Sequence, residues 1–183
     1  MMKFTELDLS GVWLIEPEVF SDERGVFFRS FCSQEFEARN IVSKTVQGNV
    51  SVNPYRGTLR GFHYQVKPYE EAKTISCLTG AIYDIVVDLR KNSPTYMKWI
   101  SIELSAEGKH SLHIPSGCAN AWLTTTTNTI VHYYMSDFYT PHAYSGFNYN
   151  DPILNFKWPM EPIVISEKDR NLPKLSEAIQ ERI

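Results

Sequence analysis

The chain has 183 residues, with 18 lysines and arginines against 21 aspartates and glutamates, for a formal charge of −3. At 43% apolar and 21% charged it is neither disordered nor fibrous, and residues 1–183 are long enough to form a single domain around one core. A pI near 6.0 without a basic cluster argues against a nucleic-acid footprint, and no apolar run nears the roughly 18 residues of a membrane span.

Along the chain, Gln34–Arg39 reads as about two helical turns. Arg60–Gln65 reads as a strand whose alternation puts Arg60 and Phe62 on one face and Gly61, His63 and Gln65 on the other. Lys73–Leu78 and Ala81–Leu89 flank Thr79-Gly80 in the manner of a hairpin. In the second of these strands Tyr83, Ile85, Val87 and Leu89 form an apolar face, and the opposite face carries Asp84 and Asp88. Lys91–Pro94 breaks the chain before a strand over Thr95–Leu104. Ser111–Ile114 is a short strand closed by Pro115-Ser-Gly117, and Ala121–Thr126 and Thr129–Met135 are strands split by a turn at Thr127-Asn128. Pro173–Ile183 carries a helical apolar stripe. The sum is a mostly β fold, a sandwich or small barrel with a few short peripheral helices.

Cys32, Cys77 and Cys118 are odd in number and lack CxxC spacing, so they are read as buried, inert thiols in a reducing cytoplasm. Met1–Glu6 has no signal-peptide core. Aromatic residues make up 13% of the chain, a load that either packs a β core or stacks on a ligand.

The chemistry is sought among polar residues in strands. His63, Lys73, Asp84 and Tyr133 sit where an enclosed sheet would carry apolar side chains, and buried Lys or Asp is rare unless paired. Alternatively, Lys73, Asp84 and Asp88 lie on a solvent-facing sheet surface and only solubilise it. A cupin metal site needs two closely spaced histidines, a Glu, and a His beyond the Pro-x-Gly turn. Here Asn120 stands at the last position and His63 has no histidine two residues away, so no metal is expected. An inward His, Lys, Tyr and Asp suit proton abstraction beside a carbonyl: a neutral imidazole accepts the proton, an ammonium holds the enolate oxygen, and a phenol returns a proton. Spacing alone does not select this over other enol chemistry.

The residues resemble the dTDP-4-dehydrorhamnose 3,5-epimerase family, through motifs running over nearly the whole chain. They include Phe20-Ser-Asp-Glu-Arg-Gly25, Leu59-Arg-Gly-Phe-His-Tyr-Gln65, Val87-Asp-Leu-Arg90, Ile114-Pro-Ser-Gly117, Asp137-Phe-Tyr139 and Ser166-Glu-Lys-Asp169. The resemblance implies a cupin-type jelly roll, no cofactor, and a nucleotide-diphospho-sugar substrate epimerised at C3, C5 or both beside a 4-keto group. It also implies a homodimer whose N-terminal strands reach into the neighbouring subunit. By the same resemblance His63 is the base, Asp169 its orienting partner, Lys73 the enolate stabiliser and Tyr133 the acid. Arg24, Arg60 and Lys168 would hold the nucleotide and diphosphate, Gln47 and Asn49 line the nucleotide site, and Tyr139 stacks on the base.

Three positions depart from the family. Arg29 replaces a Glu that contacts thymine, Asn120 replaces a His, and Tyr144 replaces an acidic residue. Thymine offers an N3–H donor to a carboxylate, whereas cytosine offers an acceptor that a guanidinium can meet. Arg29 therefore raises a CDP-linked, or other NDP-linked, substrate as the alternative to dTDP, and a cupin that binds sugar nucleotides without catalysis is a further alternative.

Overall fold

The computed structural model describes residues 1–180, so the end of the predicted C-terminal helix, residues 181–183, lies outside the described residues. Two sheets face each other. The first runs in the order β1 (Lys3–Glu6), β2 (Trp13–Glu16), β10 (Ser111–Ile114), β7 (Lys73–Thr79), β12 (Thr129–Met135), β5 (Gln47–Asn53). The second runs β13 (Tyr144–Gly146), β6 (Thr58–Gln65), β11 (Cys118–Thr124), β8 (Ala81–Asp88), β9 (Trp99–Ser105), with β14 (Val164–Ile165) pairing β6 in parallel. Strands β3 (Val19–Asp22) and β4 (Gly25–Phe28) form a separate two-stranded ribbon, and α1 (Ser33–Glu37), α2 (Glu167–Arg170) and α3 (Leu175–Gln180) are short. This is the mostly β sandwich that the pattern of strands and turns predicts, in the jelly-roll form that the family resemblance implies.

The hairpin expected around Thr79-Gly80 does not form. β7 pairs with β10 and β12, while β8 pairs with β11 and β9, so the turn at Gly80, with its φ of +73°, carries the chain from one sheet to the other. Strand periodicity reports which residues share a face but not which strand lies alongside, and a sandwich corner has the same local pattern as a hairpin. The second core explains why the corner is favoured. Ile85, Val87, Ala119 and Ala121 of β8 and β11 pack with Phe62, Phe147 and Leu175, while Ile82, Val86 and Trp122 pack with Ile75, Leu112 and Val131 of the opposite sheet. The second sheet is thus covered on both faces, by its partner sheet and by the C-terminal segment.

Other boundaries shift. The strand expected from Thr95 starts at Trp99, because Asp88 gathers the preceding loop. Its carboxylate accepts hydrogen bonds from Arg90, Ser93 and Thr95, and although burial opposes it, these donors hold the acid down at about 2. Strand β11 runs 118–124 rather than 121–126, and α1 has five residues. Cys77 and Cys118 are buried, but Cys32, at the start of α1, is only half-buried. Asp84 and Asp88 are wholly buried and Lys73 is largely so, which rules out the solvent-facing reading of that strand surface.

Candidate active site

A cavity of about 300 Å³ opens between the two sheets. From the first sheet it takes Gln47, Asn49 and Ser51 on β5, Lys73 and Ile75 on β7, and Tyr133 and Met135 on β12. From the second it takes Arg60, His63 and Gln65 on β6, Asn120 and Trp122 on β11, and Tyr144 on β13; Tyr139 and Glu71 complete the wall. The volume is at the lower end of the range for ligand pockets, and the lining mixes aromatic with convergent polar groups.

Arg60 is displaced from its expected face. Simple alternation sets it opposite His63, yet both line the cavity, because β6 carries one extra residue against β11: His63 pairs with Asn120, but Arg60 pairs with Trp122. The bulge sits at Gly61, whose φ is +125°. A Cβ there would lie 2.5 Å from the Cα of Ala121 and 2.6 Å from the Asn120 carbonyl, so the close approach of β6 to β11 requires glycine. Phe62 points the other way and stacks on Phe147 at 4.5 Å, fixing the backbone on which His63 stands.

His63 meets Asp169 at 2.7 Å between Nε2 and Oδ1. Asp169 lies 106 residues further on and is delivered by a short construction: β14 runs parallel to β6, and α2 follows at once. The Ser166 hydroxyl caps that helix by accepting the Asp169 amide, and the Gly61 amide donates to the other carboxylate oxygen at 3.4 Å. Burial lowers the His63 pKa from its ordinary value, while the bond and charge of Asp169 pull it back up. Burial would raise the Asp169 carboxyl, but His63, Gly61 and Ser166 together hold it below the usual range. The pair is therefore a neutral imidazole against a carboxylate near neutral pH, an arrangement able to accept a proton.

Beside it Lys73 directs its ammonium at three acceptors: Glu71 Oε1 at 3.0 Å, the His63 carbonyl at 3.3 Å and Asn120 Oδ1 at 3.3 Å. Asn120 in turn donates to Asp84 at 3.3 and 3.4 Å. Asp84 is sealed from solvent, and burial raises its pKa to about 7 despite the Asn120 bond and the Lys73 charge. Across the cavity Tyr133 stands on the other sheet, its pKa raised by burial and eased down by Arg60. Tyr139 and Tyr144 meet edge-to-face at 5.4 Å, Tyr144 lies 5.0 Å from the His63 ring, and Lys168 Nζ sits 3.9 Å over Tyr144. Burial also raises the Tyr144 phenol well above its ordinary value, so it stays neutral here.

Of the predicted site residues, His63, Lys73, Tyr133, Gln47, Asn49, Arg60, Asn120, Tyr139 and Tyr144 line this cavity; Asp169 and Lys168 stand directly behind it. Arg24 and Arg29 do not. Arg24 lies on the β3–β4 ribbon with 83% of its side chain exposed and pairs with Asp22, and Arg29 pairs with Glu35 at 2.8 Å beside a second cavity near the N-terminus. Sequence reasoning passed over Gln65, Glu71, Trp122 and Met135. Gln65 was legible from its phase with His63, whereas Glu71 lies on the loop before β7, where periodicity is silent. Among the described residues no group of three or more His, Cys, Asp or Glu side chains is placed to hold a metal ion.

Two sheets that enclose a buried His–Asp pair, a buried ammonium and a facing tyrosine define a cupin-type site with groups able to accept and return protons. The family profile described as dTDP-4-dehydrorhamnose 3,5-epimerase matches residues 6–177. A dTDP-4-dehydrorhamnose 3,5-epimerase of Methanothermobacter thermautotrophicus is 39% identical over 96% of this chain and 95% of its own. The structure of the Bacillus anthracis dTDP-4-dehydrorhamnose 3,5-epimerase with TDP and PPi bound matches at a TM-score of 0.92 and 39% identity, covering 96% of this chain and all of that one. A Legionella pneumophila dTDP-6-deoxy-D-glucose-3,5-epimerase in complex with dTDP-4-keto-L-rhamnose matches at 0.93 and 32% identity, covering 100% and 97%. The chain belongs to the dTDP-4-dehydrorhamnose 3,5-epimerase family.

Proposed function

We propose that the protein inverts C3, C5 or both in a 4-keto-6-deoxy sugar carried on dTDP, by proton transfer through an enolate. The observation that carries this reading is the placement of the His63–Asp169 base on one sheet and Tyr133 on the other, across one cavity. His63 takes the proton alpha to the ketone, and Asp169 orients the ring and steadies the imidazolium that results. Lys73 stabilises the charge that gathers on the ketone oxygen. Tyr133, kept protonated by burial, returns a proton to the opposite face, and the nearby Arg60 charge favours the phenolate left behind. One proton leaves and one arrives, so the step needs no redox partner or cofactor.

Gln47, Asn49, Arg60, Tyr139, Tyr144 and Lys168 would form the nucleotide end, and the TDP-bound relative supports dTDP as the carrier. Arg29, engaged by Glu35, does not favour the CDP alternative. The β3–β4 ribbon exposes Val19, Phe20, Val26 and Phe27, and with Arg24 and Arg29 outside their own chain's cavity this supports a homodimer in which the ribbon completes the partner's site. A cytoplasmic location accords with three unpaired cysteines. In the described residues no helix is long and apolar enough to cross a membrane.

The test is solvent exchange: in D2O the wild type should place deuterium beside the ketone of dTDP-4-dehydro-6-deoxyglucose, and His63→Ala should place none. Undiminished exchange in His63→Ala would remove His63 from the base role. A wild type that bound the compound without any exchange would leave only a sugar-nucleotide binding protein.

A further inference from the structure

Glu71 stands two residues before Lys73, on the loop that leads into β7, and its side chain is 3% exposed. One carboxylate oxygen, Oε1, receives the Lys73 ammonium at 3.0 Å. The other, Oε2, is buried and has no hydrogen-bond partner, alone in this among side-chain oxygens and nitrogens of the described residues. Buried carboxylate oxygens are held by donors almost without exception, because leaving one dry forfeits its hydration and returns nothing.

Most neighbouring donors are committed elsewhere, and the Tyr133 and Tyr144 hydroxyls, which feel the Glu71 charge across the cavity, make no hydrogen bond to Oε2. The three N–H groups of Lys73 match its three acceptors, Glu71 Oε1, the His63 carbonyl and Asn120 Oδ1, so none is left to turn to Oε2. Asn120 gives its amide protons to Asp84, and the Gln47 and Asn49 amides point to Asn49 Oδ1 and the Met135 sulfur. Glu71 lines the cavity, so a donor that enters it can meet Oε2 by a small turn of the carboxylate. A carboxylate accepts and cannot donate, which excludes a phosphate at this point and selects an O–H or N–H group.

We propose that Glu71 Oε2 accepts a hydrogen bond from a ring hydroxyl of the bound sugar and so makes Glu71 a specificity-determining residue. The inference rests on the epimerase reading above: next to Lys73 and His63 the group offered is the sugar, and its free donors are the hydroxyls at C2 and C3. An ion-paired carboxylate at a buried position discriminates strongly, because an analogue lacking the hydroxyl leaves the oxygen unpaired again.

The experiment compares dTDP-4-keto-6-deoxyglucose with its 2-deoxy and 3-deoxy analogues by kcat/KM for solvent deuterium exchange, in the wild type and in Glu71→Gln. Glutamine keeps the volume and an acceptor for Lys73 but replaces the free acceptor by a donor. The wild type is expected to favour the hydroxylated sugar over one of the analogues by roughly tenfold or more. In Glu71→Gln that ratio should fall to near one, with the affinity for dTDP alone unchanged. A wild type that treats all three sugars alike overturns the assignment without recourse to any variant. So does a ratio that survives in Glu71→Gln, or an equal loss for every sugar, which would mark a purely structural carboxylate. Those failures leave an active epimerase standing. Absence of exchange with every sugar in the wild type would instead overturn the epimerase reading, and this inference with it.

Discussion

Replacing Asp169 by asparagine should weaken the base and shift its titration in a direction fixed by the geometry. The wild-type carboxylate accepts from His63 at 2.7 Å with both side chains largely buried, and it is the group that raises the His63 pKa against the lowering effect of burial. A charge-assisted bond of this kind contributes about 1.5–3 kcal/mol to the imidazolium, which corresponds to roughly one to two pH units. The base acts unprotonated, so activity rises as pH climbs through its folded-state pKa. With Asp169→Asn the acid limb of kcat/KM should therefore move downward by about one to two pH units, and the plateau should fall by roughly 100-fold as the base loses strength and orientation. The assay is deuterium exchange into dTDP-4-dehydro-6-deoxyglucose from pH 4.5 to 8.5, with dTDP affinity as the control for folding. An acid limb that stays in place or moves upward would refute the pairing as the source of the base's strength.

Two further outcomes follow from the same structure. Asp84 titrates near 7 in the folded chain against an ordinary value of 3.8, so between those limits the unfolded chain releases a proton that the native state keeps. Stability should thus decline as pH rises through that window, by at most roughly 4 kcal/mol, and Asp84→Asn should flatten the decline; parallel urea-denaturation profiles for the two proteins between pH 5 and 8 would contradict it. Charging the ribbon by Phe27→Glu, at a residue 73% exposed in the single chain, should shift sedimentation from dimer toward monomer and weaken nucleotide binding; an unchanged dimer would relocate the interface.

What the sequence made legible divides along physical lines. Strand β12 coincides with its predicted 129–135 range and β10 with 111–114, because both lie against the core and their composition records it. The edge strand β1 is not legible because Lys-Phe-Thr-Glu has no apolar alternation, and the ribbon at 19–28 is not legible because its two four-residue strands, Val-Phe-Ser-Asp and Gly-Val-Phe-Phe, lie exposed away from both sheets and follow no two-residue period. His63 and Lys73 were visible as polar residues in strands, and Asp84 for the same reason. Asp169 was visible only through the family motif, because its four-residue helix has no periodic signal and its place beside His63 depends on the parallel pairing of β14 with β6. Strict alternation sets Arg60 on the face away from His63, but the bulge at Gly61 breaks the two-residue period at one step, and only tertiary pairing shows where such a step falls. The aromatic excess is shared between both roles: Phe62, Phe147 and Phe156 pack the second core, while Trp122, Tyr133, Tyr139 and Tyr144 face the cavity.

The central claim, that protons move on opposite faces of one enolate from two different sheets, is tested most directly by Tyr133→Phe in D2O. His63 should still form the enolate and return deuterium to the face it came from. Recovered dTDP-4-dehydro-6-deoxyglucose should therefore carry label beside its ketone with retained configuration, while the inverted product is lost by about 100-fold or more. Inversion at the wild-type rate would contradict the account, because it would place the second proton donor somewhere other than Tyr133.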